Sequence, residues 1–216
     1  MNRNSSNHRK DLPFDDAAPP GSLRAEQKQL TRRRIVQAAR TCFLADGVAE
    51  TGFNEIARRA GVSRATVYLH FPGKQPLLLA LLEEDWEAQR VLFASAPWPT
   101  DSELAGAFSR WLARMVKAYR ARRESMGLYA LVIAQDPATH LRLSEQRRAL
   151  LAELGSRFPA FAVAGEADPE RRVAAFLMLS QIEQFCMLAT IENWGAEAVA
   201  GADLLGRAIA AFVAPR

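Results

Sequence analysis

Hydrophobic residues follow helical spacing along most of this chain, and no segment shows the strict alternation of a β-strand. In the segment 31–47, the apolar residues fall at i, i+3, i+4, i+7 and i+8: Ile35, Ala38, Ala39, Cys42 and Phe43. We expect Gly47 to end this helix, since glycine readily adopts the left-handed conformation of a C-terminal cap. The pattern predicts an all-α fold.

A second pattern runs from Phe53 to Pro72, FNEIARRAGVSRATVYLHFP, and predicts two short helices joined by a tight turn. A steep helix crossing needs a permissive residue in the turn and a small residue at the contact, and Gly61 and Ala57 supply them. Ser63 stands where an N-cap would satisfy free amides of the second helix. Four apolar residues are predicted to pack the two helices together: Ile56, Ala60, Val62 and Val67.

The second short helix then has an outward face of mixed chemistry. The side chains predicted to lie there are Arg64, Ala65, Thr66, Tyr68 and His70. A guanidinium, a hydroxyl, a phenol and an imidazole can donate hydrogen bonds to base edges and phosphates in a DNA major groove. The alternative is an ordinary helical hairpin with a solvated polar face.

Beyond Leu82 the pattern predicts a second, entirely helical region. The helical segments are predicted at 77–94, 104–119, 127–135, 140–158, 170–191 and 196–213. Breaks are predicted at the PWPTD stretch, 97–101, and in the loop that contains Pro159, Gly165 and Pro169.

Charge divides unevenly between the two regions. Residues 1–76 carry 13 Lys and Arg against 7 Asp and Glu, whereas residues 77–216 carry 15 against 17. The net charges are therefore +6 and −2, and the basic part is the one with the two short helices. This asymmetry is typical of a protein that neutralises phosphates with one face, although a solvated surface would explain either half alone.

The N-terminal segment and the cysteines indicate a cytosolic location. Residues 1–25 are predicted to form a disordered arm, because they are polar and have almost no apolar pattern. They also lack the apolar stretch of a signal sequence, so export is not expected. Arg9, Lys10 and Arg24 could alternatively follow a DNA minor groove. Cys42 and Cys186 lie in apolar stripes, so we expect buried thiols and no disulfide framework. No membrane span is expected.

Catalytic and metal-binding classes find little support in the residues. The chain has three histidines, at His8, His70 and His140, and contains neither a GxGxxG motif nor a phosphate-binding loop. No pair of cysteines or histidines has the spacing of metal ligands. We therefore expect no catalytic residue, no metal and no cofactor.

Taken together, the segment from Thr31 to Leu82 closely resembles the DNA-binding domain of the tetracycline-repressor (TetR) family of bacterial regulators. The preceding helix with its glycine stop, the IARRAGVS turn, the TVYLHF end and the lysine that follows all occur in order. The resemblance implies a helix-turn-helix domain at 26–82 and a helical effector-binding and dimerisation domain at 83–216.

The resemblance also assigns roles within the helix-turn-helix. It implies that Arg64, Ala65 and Thr66 face the bases, although a phosphate contact remains the alternative for Arg64. Phosphate contacts are implied for five residues: Thr51, Ser63, Tyr68, His70 and Lys74. The chain departs from the family pattern at Gly52 and Gly73, where relatives carry capping side chains. Thr51 is expected to substitute for the hydroxyl missing at Gly52.

For the C-terminal half, the resemblance implies a homodimer formed through the last two helices. Small residues that would allow close helix approach are Ala198, Gly201, Ala202 and Gly206. The alternative is that Gly201 begins a break in the helix.

A pocket for a small, largely apolar effector is also implied. Its walls are predicted from bulky side chains on the surrounding helices: Trp111, Met115, Tyr129, Met178 and Phe185. Each of these could instead be core, and His140, Gln181, Glu183 and Gln184 could orient a ligand. The hypothesis is a repressor that binds palindromic operator DNA and is released by the effector. The alternative is a protein that coats DNA, or binds another protein, without operator specificity.

Overall fold

A computed structural model describes residues 23–98, 100, 103–125, 128 and 137–214. Over these residues the chain forms α-helices and no strand, which confirms the all-α prediction. The helices are α1 (Leu23–Asp46), α2 (Phe53–Ala60), α3 (Arg64–His70), α4 (Lys74–Ala94), α5 (Leu104–Arg120), α6 (Pro137–Gly155), α7 (Pro169–Ile191) and α8 (Ala196–Val213). Short 3₁₀ turns lie at Arg123–Ser125 and Pro159–Phe161.

The N-terminal core is built from one face each of α1, α2, α3 and the first half of α4. All five apolar positions predicted on α1 are buried, and Ile56 and Val67 are fully excluded from solvent. Gly47 has a φ of 83° and its N–H donates to the carbonyl of Phe43, so it ends α1 as predicted. Helix α1 begins at Leu23, inside the segment 1–25 predicted as an arm, so Arg24 is helical.

A second core fills the C-terminal half between α5, α6, α7 and α8. Aromatic side chains dominate it: the ring of Trp111 lies edge-on to that of Phe93, with 5.5 Å between centroids. The Trp111 Nε1–H donates to the Leu92 carbonyl at 2.9 Å, which satisfies the one polar atom of this buried side chain. Cys186 is also buried here as a free thiol.

Helix α4 belongs to both cores. Its residues from Leu77 to Trp86 pack with the N-terminal helices, and Phe93 packs in the C-terminal core. Near the end of the first stretch, the buried carboxylate of Asp85 accepts two hydrogen bonds from Arg40 of α1, each 3.1 Å long. Asp85 also lies 3.9 Å from Arg122, which follows α5. The helix therefore joins the two halves by packing and by charge.

One helix start in the C-terminal half differs from the sequence prediction, and one predicted helix stays a prediction. Helix α6 begins at Pro137 and not at residue 140, because proline is well tolerated in the first turn of a helix. The helix predicted at 127–135 lies outside the described residues apart from Leu128. Helix α7 is long and apolar enough to span a membrane by length and composition, but one face of it packs in the C-terminal core and it carries Arg171, Arg172 and Glu183.

Candidate DNA-binding interface

The turn between α2 and α3 is fixed by backbone geometry. Gly61 has a φ of 64°, a left-handed conformation in which a side chain would be strained. The N–H of Val62 donates to the Ala57 carbonyl at 3.0 Å, which closes the C-terminus of α2. Arg34 of α1 donates to the Ala60 carbonyl at 2.6 Å and secures the same turn from outside. The orientation of α3 on α2 is thus determined locally.

Helix α3 starts at the predicted cap. The Ser63 hydroxyl accepts a hydrogen bond from the Thr66 N–H at 3.0 Å, and the two hydroxyl oxygens lie 2.8 Å apart. Val67 anchors the inner side of the helix and is fully buried. Gly52 and Gly73 make no side-chain cap for α2 and α4, as the sequence predicted.

The outward face of α3 holds its donors in a defined arrangement. Arg64, Ala65 and Tyr68 are exposed and Thr66 is half-buried. The Arg64 guanidinium lies 5.4 Å from the centroid of the Tyr68 ring and donates to its hydroxyl at 3.3 Å. The Tyr68 ring in turn contacts Phe53 of α2, with 4.8 Å between ring centroids. Contacts at i and i+4 along the helix thus limit the freedom of the arginine before any DNA is present.

The C-terminal end of α3 is basic. His70 is half-buried, and burial together with the charges of Lys28 and Arg32 lowers the pKa of its imidazole below the ordinary value of 6.5. The Arg32 guanidinium lies over the Phe71 ring, 4.7 Å from its centroid. An anion placed here would be attracted by the two cations and would favour protonation of the imidazole.

Leu69 is a surface residue of α3 that sequence reasoning missed. It is 81% exposed, which is unusual for leucine. The sequence contained a signal for this position: Leu69 follows Ala65 by four residues, and that spacing places both side chains on one side of the helix. An apolar side chain on this face can contact the methyl group of thymine.

Two residues predicted to contact phosphate make hydrogen bonds within the chain, and one of the two predictions needs correction. Thr51 is only 2% exposed and its hydroxyl donates to the Gly47 carbonyl at 2.7 Å, so the prediction that it binds phosphate is wrong. Lys74 donates from Nζ to the carbonyls of Val48 and Ala49, at 2.8 and 2.7 Å. Its ammonium therefore ties the α1–α2 connection to the start of α4, and one N–H remains for another acceptor.

The predicted effector pocket is also changed by the structure. Trp111 and Met115 are fully buried core side chains, so the prediction that they line a pocket is wrong for them. Met178 and Phe185 are half-buried at the edge of the same core, and Tyr129 lies outside the described residues. Among the described residues, what remains of the predicted set is therefore confined to α7, and Tyr129 stays a prediction.

Four helices meet at a polar cluster that the sequence did not predict. The Glu183 carboxylate of α7 accepts from Arg147 of α6 at 3.0 Å and from Gln89 of α4 at 3.3 Å. Gln89 also donates to the hydroxyl of Tyr119 at 2.8 Å. Burial raises the pKa of the Glu183 carboxyl, and Arg147 and Gln89 partly offset that effect. Only Glu183 had been proposed from the sequence, because polar residues on separate helices give no joint signal.

The small residues of α8 face the inside of their own chain. Ala202 and Gly206 are buried, and a Cβ at Gly206 would lie 2.8 Å from the Ala105 carbonyl oxygen of α5. Gly201 faces the ring of Phe185, and Ala198 is half-buried against the C-terminal core. Ala202 and Gly206 are therefore not available to a partner and the prediction is wrong for these two, whereas the place of Ala198 and Gly201 in a dimer interface stays a prediction.

Large apolar side chains are also exposed on α7 and α8. Val173, Leu177 and Ile191 of α7 are 55%, 59% and 49% exposed, and Val199 and Leu204 of α8 are 66% and 63% exposed. The three α7 residues lie on the side of the helix opposite its buried residues, as the 3.6-residue period requires.

Comparisons with known proteins agree with this architecture. Residues 35–81 match the model of bacterial regulatory proteins of the tetR family. The chain is 47% identical over 58 residues to the HTH-type transcriptional regulator SrpR of Pseudomonas putida, a match that covers 27% of each chain. It is 28% identical over 160 residues to the HTH-type transcriptional regulator TtgR of the same species, covering 69% of this chain and 76% of TtgR. The solved structure of Salmonella enterica GusR superimposes with a TM-score of 0.64 at 26% identity, covering 85% of this chain and 95% of GusR.

Proposed function

The chain belongs to the TetR family of bacterial regulatory proteins, and on that premise we propose that it is a repressor that binds palindromic operator DNA as a homodimer. The observation that carries this proposal is the outward face of α3. There the Arg64 guanidinium is held against Tyr68 on a helix whose start is capped by Ser63. Regulators of this family are DNA-binding proteins and not enzymes, so the proposed function includes no catalytic step.

Base readout is assigned to the exposed face of the recognition helix α3. We assign it to Arg64, Ala65 and Thr66, with Leu69 as an additional apolar contact. The Arg64 fork matches the two major-groove acceptors of guanine, whereas Ala65 and Leu69 suit thymine methyl groups. Phosphate contacts are assigned to four residues around this face: Ser63, Tyr68, His70 and Lys74.

A second copy of the chain is the partner proposed for the outer sides of α7 and α8. One recognition helix reads only a few base pairs, so a two-fold dimer places a second helix one turn, about 34–36 Å, along the groove. The exposed apolar side chains on α7 and α8 would be removed from water in such a contact. These exposed side chains replace the buried small residues of α8 as the proposed contact surface between subunits.

Release from DNA is proposed to follow binding of a small, largely apolar effector in the C-terminal half, within the cytosol. Met178 and Phe185 share one side of α7 and supply apolar contacts, whereas Glu183, on the other side of this helix, links it to Arg147 and Gln89 of the polar cluster. The cluster includes Gln89 of α4, and α4 also carries Lys74 at the DNA end. A ligand that displaces Gln89 would therefore act on the helix that joins the halves.

Nuclease footprinting of the purified chain on DNA upstream of its own gene tests the proposal. Protection of a discrete palindrome is expected, with loss of protection when an effector from a small-molecule screen is added. Uniform protection, or none, would favour the alternative protein that coats DNA without operator specificity. Relief by no compound in the screen would leave operator binding intact and contradict the effector step alone.

A further inference from the structure

A groove lined by arginines lies between α1 and α2, on elements other than the recognition helix. Its volume is about 500 Å³. Small-ligand sites in proteins measure about 300–1,000 Å³, so the groove has the size of a site for a small molecule. Six polar side chains line it: Arg33, Arg34, Gln37, Thr41, Arg58 and Arg59.

The charges in this groove are poorly compensated. Arg58 pairs with Glu55 at 2.5 Å, and Arg34 is directed at the carbonyl of Ala60. Arg33 and Arg59 are exposed and form no hydrogen bond or ion pair with the described part of the chain. Four guanidinium groups thus line one groove, and the Glu55 carboxylate pairs with one of them, Arg58. Like charges that line one groove repel each other, and an anion bound between them would reduce that repulsion.

From this arrangement we propose that the groove between α1 and α2 binds a small molecule that carries two or more phosphate groups. The planar fork of arginine matches the oxygens of phosphate and forms two parallel hydrogen bonds with them. Arg33 and Arg59 provide free forks from opposite walls, whereas Thr41 and Gln37 provide neutral hydrogen-bonding groups. The apolar floor contributed by Ala38 and Ala60 accommodates an uncharged portion of the ligand.

Occupation of the groove would be communicated to both ends of the DNA-binding domain. Arg34 holds the carbonyl of Ala60, immediately before the Gly61 turn that orients the recognition helix. Gln37 donates to the carboxylate of Glu84 on α4 at 2.9 Å. A phosphate that draws either side chain toward itself changes a contact that sets the position of α3 or α4. The binding event itself requires neither operator DNA nor an effector in the C-terminal half.

Calorimetric titration with sodium tripolyphosphate, in the absence of DNA and at about 0.15 M salt, where long-range attraction is screened, tests the site. We expect saturable binding of one tripolyphosphate per chain. The double substitution Arg33→Ala with Arg59→Ala should weaken it at least tenfold, without loss of helical content. Arg33→Lys with Arg59→Lys should give an intermediate affinity, because the charge remains and the fork is lost.

A charge-matched control separates a site from general attraction. Arg110→Ala with Arg148→Ala removes two exposed charges from α5 and α6 and should leave tripolyphosphate affinity unchanged. Equal weakening by both double variants, or equal affinity of wild type and Arg33→Ala with Arg59→Ala, would overturn the proposal.

The phosphates of DNA are the other source of the same chemistry, and a second titration distinguishes them. A duplex without operator sequence is titrated at several salt concentrations into wild type and into Arg33→Ala with Arg59→Ala. We expect the same salt dependence for both proteins. If the substitutions reduce the magnitude of the logarithmic salt slope by about 2, as loss of two phosphate contacts does, and tripolyphosphate does not bind saturably, the groove is a DNA contact and the small-molecule proposal is wrong.

Discussion

Arg64 illustrates how a single side chain can be prepared for its partner before the partner arrives. A free arginine loses rotamer freedom when it binds, and that loss opposes binding. Here part of the restriction is already imposed by the Tyr68 ring and hydroxyl, and Tyr68 is itself fixed on Phe53. The geometry of base readout therefore depends on residues that need not touch a base.

Arg64→Ala should relax sequence preference, because a bidentate contact with guanine contributes about 1–3 kcal/mol of discrimination. Affinity for operator is expected to fall by about tenfold or more, while affinity for unrelated DNA changes little. Competition binding of operator and unrelated duplexes measures the ratio. Arg148→Ala, on α6, serves as the control for loss of one positive charge. An unchanged ratio of the two affinities would assign Arg64 to phosphate contact.

His70 should make DNA binding stronger at lower pH. Burial and the charges of Lys28 and Arg32 lower the pKa of the free imidazole below 6.5. A phosphate beside the ring would raise that pKa in the complex, since it stabilises the imidazolium. The gain in affinity is then complete below the pKa of the free chain and is lost as pH rises through the pKa of the complex.

Binding isotherms between pH 5.5 and 8, a range of about 2.5 units around the ordinary histidine pKa, measure this effect. His70→Gln should flatten the pH dependence, and His140→Gln on α6 should preserve it. Persistence of the full dependence in His70→Gln would show that another group carries it.

At the scale of elements, the N-terminal helices could be predicted from the sequence almost completely. Gly47, Gly61 and Ser63 act through their own backbone or through residues three or four away, and such local effects can be read from a chain. Thr51 could not be placed in the same way, because its exposure of 2% results from tertiary packing, which a local sequence pattern does not show. The polar cluster around Glu183 was hidden for that reason as well.

Helix α8 shows the same limit more clearly. Small residues at regular spacing indicated close helix approach, which was correct, but they carry no information about which helix approaches. The structure places α5 of the same chain there, with backbone atoms of Ala105 and Ser109 against Gly206. Close approach requires small side chains whether the second helix belongs to a partner subunit or to the same chain, so the pattern does not distinguish the two.

Gly206→Ala should therefore destabilise the folded chain itself. The new Cβ would lie 2.8 Å from the Ala105 carbonyl oxygen and 2.9 Å from the Ser109 amide nitrogen, and backbone atoms cannot move aside cheaply. Overpacking of this kind typically costs about 1–3 kcal/mol, against a gain of about 1 kcal/mol in helix propensity. Urea denaturation is expected to show a lower unfolding midpoint.

Gly106→Ala is the matched control on the facing helix α5. Its Cβ would meet only the ends of two side chains, Arg110 at 3.4 Å and Glu103 at 4.0 Å, so the propensity gain of up to about 1 kcal/mol should be realised. An increase in stability for both glycine substitutions would contradict the proposed close packing of α8 on α5.

For the whole molecule, α4 is the element that packs in both halves, and it is therefore the proposed route by which one half affects the other. It contributes to both hydrophobic cores, and Asp85 pairs with Arg40 on one side and with Arg122 on the other. Asp85 and Arg40 are substantially buried, so loss of either one would leave the other poorly compensated. A helix held in this way transmits a displacement from one half to the other.

The outer sides of α7 and α8 should hold two such molecules together. Leu177 and Leu204 are 59% and 63% exposed in the single chain, so Leu177→Glu with Leu204→Glu removes apolar area without disturbing either core. Sedimentation is expected to show a monomer with unchanged helical content at concentrations where wild type is a dimer. Operator affinity should fall by about tenfold or more, because the second recognition helix no longer arrives on the same particle.

Leu141→Glu is the control for this pair, since Leu141 is 71% exposed on α6, away from the proposed contact. It should leave both the dimer and operator binding intact. A dimer that survives Leu177→Glu with Leu204→Glu would place the interface on another surface. A monomer that keeps full operator affinity would instead show that one recognition helix is sufficient, and the requirement for a palindrome would then be wrong even though the contact between subunits was assigned correctly.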